Sequence, residues 1–134
     1  MKKIITTSLL IALLIPSASA QAATKSLNTK GNNSSCKNIK ASYKSEVIVN
    51  WSNGLASDQD LLKEIDSNIS MLIAKQKPTT GKIKTTITSW IKSEKNTKIA
   101  ITDKNFEAIN AAMNLKIVSV TNFDKLCKSI KNST

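Results

Sequence analysis

Carboxylates, lysines and two cysteines are the side chains of this sequence that could do chemistry. The chain of 134 residues holds 20 basic residues, all of them lysine, with nine acids, two cysteines and no histidine. Without histidine, neither a serine–histidine nor a cysteine–histidine nucleophile pair can form, and two cysteines are too few for a four-cysteine zinc site. Because no glycine-rich phosphate-binding motif is present either, we predict no cofactor and no bound metal.

The acids include one dense cluster, formed by Asp58, Asp60, Glu64 and Asp66. This cluster lacks the central glycine and the final glutamate of an EF-hand loop, so it is typical of helix capping and of helix-dipole complementation. A glycoside hydrolase needs two carboxylates about 5–10 Å apart beside a cleft, and no spacing in the sequence pairs any two glutamates in that way. The candidates would be Glu46, Glu64, Glu94 and Glu107. We predict that the protein is not an enzyme, with a carboxylate-only hydrolase as the alternative.

The N-terminus has the three parts of a secretory signal peptide. Two lysines at positions 2 and 3 precede an apolar stretch over residues 4–15, and small residues follow. This order is typical of a bacterial signal, with cleavage after Ala20 or Ala22. The apolar stretch is shorter than the ~20 residues that span a bilayer, and no later stretch approaches that length. We therefore expect a secreted or periplasmic protein that lacks residues 1–20 and has no membrane span.

Cys36 and Cys127 are the only cysteines of the chain. An even cysteine count in an exported protein predicts a disulfide, and two cysteines allow only one intramolecular pairing. No C-x-x-C motif supports a redox function. In the chain-entropy model a disulfide that closes the loop between these two positions stabilises a domain by up to about 4.6 kcal/mol. The bridge would join the first and last parts of the folded region.

The lysines recur at helical spacing in two places. Lys37, Lys40 and Lys44 share one side of the first predicted helix, and Lys125 and Lys128 stand together near the C-terminus. A disulfide between the two helices would bring these five lysines to one basic surface, which attracts anionic polymers or acidic proteins. The alternative is a solvated face that keeps an exported protein soluble. Nucleic acid is not predicted, because the chain offers no arginine fork and no aromatic residues between its lysines.

Helices are the elements that would position these residues. Residues 21–35 are predicted to be a disordered polar tail, because they include only one large apolar residue and cannot form a core. Apolar spacings of three and four predict helices over 36–52, 57–77, 80–95, 102–114 and 116–131, and Thr102 is expected to cap the fourth of them. The segment 80–95 also partly alternates, so a strand is the alternative there, and 97–101 reads as extended. Trp51 and Trp90 lie on apolar stripes and are expected in the core.

The fold class predicted is all-α: a small antiparallel bundle of four to five helices within residues 36–134, tied by one disulfide. For function, we expect a non-catalytic binding module that engages an acidic protein or an anionic envelope polymer through its lysines. A structural or stress-related envelope protein without a dedicated ligand is a further alternative.

Overall fold

The computed structural model describes residues 27–42 and 46–133. In this part of the chain five helices pack together, no strand is present, and the predicted all-α bundle is confirmed. The helices are α1 (Lys30–Ser42), α2 (Glu46–Ser52), α3 (Asp58–Gln76), α4 (Gly81–Thr102) and α5 (Phe106–Ser133). The segment 80–95 is therefore helical, and the strand alternative is wrong.

The three long helices run antiparallel to their chain neighbours. Between α3 and α4, Asp66 contacts Lys98, whereas Gln76 near the end of α3 contacts the earlier Thr88. Contacts between α4 and α5 follow the same rule, because Glu94 meets Lys116 and the earlier Trp90 meets Phe123. The connections between these helices are short, which is typical of antiparallel helix pairs.

The first helix begins earlier than the sequence predicts, so a disordered tail is wrong for residues 27–35. Leu27 is buried in the core, and the buried Asn32 side chain donates to the Leu27 carbonyl at 2.9 Å and accepts from the Thr80 amide at 3.0 Å. The Ser35 hydroxyl donates to the Lys75 carbonyl at 2.6 Å. Polar residues dock this segment by hydrogen bonding to main-chain groups, so its low hydrophobicity does not indicate disorder. Residues 1–26, which include the predicted signal peptide, lie outside the described residues.

Two predicted boundaries near residue 100 are also wrong. Residues 97–101 belong to α4, and the helices predicted over 102–114 and 116–131 form one continuous α5. Thr102 does not cap α5, because its hydroxyl donates to the Lys98 carbonyl inside α4 at 2.9 Å. The cap is Asn105, whose side-chain oxygen accepts from the Ala108 amide at 3.1 Å.

Helix α3 begins with the acids that the sequence assigns to capping. The Ser57 hydroxyl accepts from the Asp60 amide at 3.2 Å, and the Asp60 carboxylate accepts from the Ser57 amide at 3.2 Å. This reciprocal capping box satisfies two main-chain donors that the helix leaves unpaired. Hydrogen bonds from the hydroxyl and then the amide of Ser57 lower the pKa of Asp60 below its ordinary value, because they favour the ionised form.

The hydrophobic core consists of two clusters at different heights along the bundle. The first cluster lies around the cysteines and includes Ile83, Ile87, Trp90 and Phe123. The second is smaller and consists of Leu61, Ile65, Ala100, Ile101 and Ile109, with the half-buried Trp51 packed against it. Trp90 is thus a core residue as predicted, whereas Trp51 is only partly covered and its indole N–H donates to Asp58 at 2.9 Å.

Buried polar residues separate the two clusters. This polar layer consists of Ser93, Glu94 and Thr97 on α4 with Lys116 and Ser119 on α5. Glu94 is 1% exposed and Lys116 is 7% exposed, and their charged atoms are 2.8 Å apart. The Trp90 indole N–H also donates to the Glu94 carboxylate at 3.3 Å. Each charge in the layer therefore has a partner, which a buried ion requires.

Candidate binding surface

The disulfide predicted from the cysteine count is present. Cys36 on α1 and Cys127 on α5 are bridged with their Cα atoms 5.5 Å apart, across a sequence separation of 91 residues. Both cysteines are buried in the first cluster. The bridge therefore fixes α1 against the C-terminal half of α5, which carries the second group of predicted lysines.

Three of the five predicted binding lysines can be placed by their side chains. Lys37 follows Cys36 on α1, Lys125 and Lys128 stand on either side of Cys127 on α5, and all three are exposed. Lys40 belongs to α1, but its side chain falls outside the described part of the protein, and Lys44 lies outside the described residues altogether. The binding role of these lysines stays a prediction.

Helix geometry orders the lysines of α5 around the bridge. Successive residues of a helix are rotated by about 100°. Lys125 is two positions from Cys127 and so lies on nearly the opposite side of α5, whereas Lys131 is four positions away and shares its side. Lys128 lies between them. Lys128 and Lys131 are therefore closer to α1 than Lys125 is.

The antiparallel topology brings further lysines to the same end of the bundle. The hydrogen bonds of Asn32 to Thr80 and of Ser35 to Lys75 place the α3–α4 connection beside α1. The end of α3 and the beginning of α4 are rich in lysine, so they join the basic group. We define the lysine-rich end as Lys30, Lys37, Lys75, Lys77, Lys82, Lys84, Lys125, Lys128 and Lys131.

The acids are concentrated at the opposite end. Among the described residues with described side chains, Asp124 is the one acid in the half of the bundle that holds the lysine-rich end. The other half carries Asp58, Asp60, Glu64, Asp66, Asp103 and Glu107. The lysines there are partly neutralised by these acids; Lys98, for example, pairs with Asp66 at 2.6 Å. Charge is thus segregated along the bundle axis.

Sequence reasoning missed Lys30 and Lys82 and gave no binding role to Lys75 and Lys77. A single helix-periodicity pattern could not find them, because they come from different helices. For Lys75, Lys77 and Lys82 the signal was the lysine content on both sides of Pro78, at the junction of two helices that must be antiparallel.

A surface groove lies between the second half of α4 and the first half of α5. We define the α4–α5 groove by its lining residues, which are Lys92, Asn96, Ile99, Ala100, Asp103, Asn105, Ala108, Ala111, Ala112 and Leu115, and its volume is about 460 Å³. One carboxylate, Asp103, lines it. In the part of the chain that the structure describes, no group of three residues with metal-ligating side chains comes together.

Two further findings concern membrane-spanning helices and similarity to known proteins. None of the described helices is long and apolar enough to cross a membrane. No protein-family model, no curated protein and no solved structure matches this chain.

Proposed function

We propose that this chain is an exported, non-catalytic binding module that engages an anionic envelope polymer through its lysine-rich end. The observation that carries the proposal is the segregation of charge: four helices and one connection contribute lysines to one end, and most of the acids lie at the other. Such a field raises the rate at which anionic partners encounter that end. The buried disulfide supports the exported address, because structural disulfides persist in oxidising compartments.

A polymer fits this surface better than an acidic protein does. Apart from Ile73, the exposed large apolar residues of the described chain lie away from the lysine-rich end: Val49, Leu55, Ile99, Phe106, Ile117 and Val118. Protein interfaces are usually enriched in aromatic residues and arginine and depleted in lysine. Lysine ammonium groups act as strongly hydrated point charges, which suits a flexible polyanion that needs no fitted pocket.

The binding test compares two triple variants with the same change of charge. Lys37, Lys82 and Lys128 come from the lysine-rich end, and Lys63, Lys95 and Lys104 serve as the control set from the other half; all six are exposed. The probes are inorganic polyphosphate and poly-glutamate, titrated against the mature disulfide-bonded protein. Changing the first triple to glutamine should reduce affinity for polyphosphate much more than changing the second.

Binding should also weaken steeply with salt, because exposed charges are screened over about 10 Å at 0.1 M. An equal loss of affinity in the two triple variants, or an affinity that does not change with salt concentration, would contradict the proposal. Binding to poly-glutamate alone would favour an acidic protein as the partner, and binding to neither probe would favour a structural envelope protein without a dedicated ligand.

The exported address has its own test. Sequencing the N-terminus of the protein recovered outside the cytoplasm of its host should give Gln21 or Ala23 as the first residue, because signal peptidase cleaves after small residues. Recovered protein that begins at Met1 would contradict export with cleavage.

A further inference from the structure

The α4–α5 groove contains both an apolar projection and an apolar recess. Ile99 on its α4 side is 60% exposed, although it is a large apolar residue. The α5 side is lined by Ala108, Ala111 and Ala112, whose small side chains leave the recess open. A surface that carries a projecting side chain beside a recess of matching character can pair with an identical surface, as two-fold dimers require.

The exposed surface of α5 beside the groove carries no charge. Between Glu107 and Asp124 the one charged residue is Lys116, which is buried in the polar layer. Val118 is exposed and lies one turn beyond Leu115, so it extends the row of apolar residues by which α5 lines the groove. In a chain of which 22% is charged, this surface has the depletion of charge that marks the centre of protein interfaces.

The two ends of the groove carry opposite charges. Lys92 on α4 lines one end and Asp103, which directly follows α4, lines the other; eleven residues separate them, which corresponds to about 16 Å along a helix. A two-fold axis through the middle of the groove would place Lys92 of one copy opposite Asp103 of the second copy, and Asp103 opposite Lys92. The charges of the groove are therefore complementary to those of an identical groove rotated by 180°.

We propose that the α4–α5 groove is a dimer interface that binds the same groove of a second copy of this chain. Ile99 of each copy packs against the apolar middle of the groove of the other, and Lys92 pairs with Asp103 across both ends. The lysine-rich ends lie in the other half of each bundle and point away from the axis, so their repulsion is small. The inference stands on the groove and does not depend on the lysine-rich end binding a polymer.

The first experiment measures the molar mass of the disulfide-bonded mature protein by sedimentation equilibrium. Ile99→Glu should raise the dissociation constant of the dimer about tenfold or more, because residues at the centre of an interface dominate its affinity. Ile117→Glu is the matched control: Ile117 is 58% exposed and lies two positions from Leu115, hence on the far side of α5. It should leave the dissociation constant unchanged.

The second experiment tests the two-fold arrangement by exchanging charges. Lys92→Glu alone and Asp103→Lys alone each place like charges opposite one another, so each should weaken the dimer several-fold. The double variant restores both pairs and should return the dissociation constant close to that of the original protein. Circular dichroism confirms that every variant keeps its helix content. A monomeric protein at all concentrations, equal effects of Ile99→Glu and Ile117→Glu, or a double variant as weak as the singles would each overturn the proposal.

Discussion

The two halves of the bundle differ in their surface charge and in their hydrophobic packing. The half with the lysine-rich end gathers like charges, and it contains the larger hydrophobic cluster and the disulfide. The other half has mixed charges, a smaller cluster, most of the exposed apolar residues and the groove. The covalent bond and the larger hydrophobic cluster thus lie in the half where like charges are gathered, so we expect them to offset charge repulsion there.

Removing the disulfide should have the largest effect. The variant Cys36→Ala/Cys127→Ala should lose up to about 4.6 kcal/mol of unfolding free energy, since the bridge restricts a long loop in the unfolded chain. Because lysines on both bridged helices then repel each other without restraint, added salt should recover part of the loss. Thermal unfolding followed by circular dichroism at low and high salt measures both quantities. A loss that is the same at every salt concentration would show that repulsion does not oppose folding at this end.

Substituting the two tryptophans compares how much each hydrophobic cluster contributes to stability. Trp90 is 4% exposed and packs edge-on against Phe123 with ring centroids 5.8 Å apart, so Trp90→Ala should cost about 3–5 kcal/mol. Trp51 is half-buried beside the second cluster, and Trp51→Ala should cost less than half as much. Urea unfolding of both variants checks the order. Equal costs would mean that the second cluster is as well packed around its tryptophan as the first.

The polar layer between the clusters provides the third comparison. Lys116→Ala would leave the Glu94 carboxylate buried without its cation, at a cost of about 3–5 kcal/mol. Replacing both partners, Glu94→Leu with Lys116→Leu, removes two desolvated charges, so the double variant should be far more stable than Lys116→Ala. Urea unfolding of the three proteins tests this. A double variant no more stable than Lys116→Ala would mean that the cost comes from lost packing and not from the unpaired charge.

The smallest effects concern two helix ends with the same geometry. Gly54 lies two residues after α2 at φ 73°, and Lys104 lies two residues after α4 at φ 53°. In both, the next residue donates back five positions: Leu55 to Asn50 at 2.7 Å, and Asn105 to Ala100 at 3.0 Å. Left-handed backbone disfavours residues with a Cβ atom. Gly54→Ala should therefore destabilise by about 1 kcal/mol and Lys104→Gly should stabilise by about 0.5–1 kcal/mol. Thermal unfolding measures both changes, and a stabilised Gly54→Ala variant or a destabilised Lys104→Gly variant would contradict the prediction.

Features that depend on local periodicity could be predicted from the sequence, and features that depend on tertiary contacts could not. The helical character of α3 and α4 and the disulfide are examples of the first kind. The docking of residues 27–35 is an example of the second, because it needs Asn32 and Ser35 to meet main-chain groups more than 39 positions away. The same holds for the start of α5, where Asn105 replaces Thr102 as the cap. The lysine-rich end likewise emerges only once helix order and direction are known.

Gly31 shows how close one such contact is. A Cβ atom at this position would come within 1.9 Å of the carbonyl oxygen of Pro78. Only a residue without a side chain lets α1 approach the α3–α4 connection so closely. The glycine stands in the segment that composition alone assigns to a disordered tail.

The segregation of charge gives the molecule a permanent electric dipole along the bundle axis. A dipole of this kind orients a protein before contact, because the field of an anionic surface turns the positive end toward it. Monomers on such a surface would stand upright, with the α4–α5 connection farthest from it, whereas in the proposed two-fold dimer the two dipoles would cancel. The area that each molecule covers would then be set by the cross-section of the bundle and not by its length, so a dense layer could form.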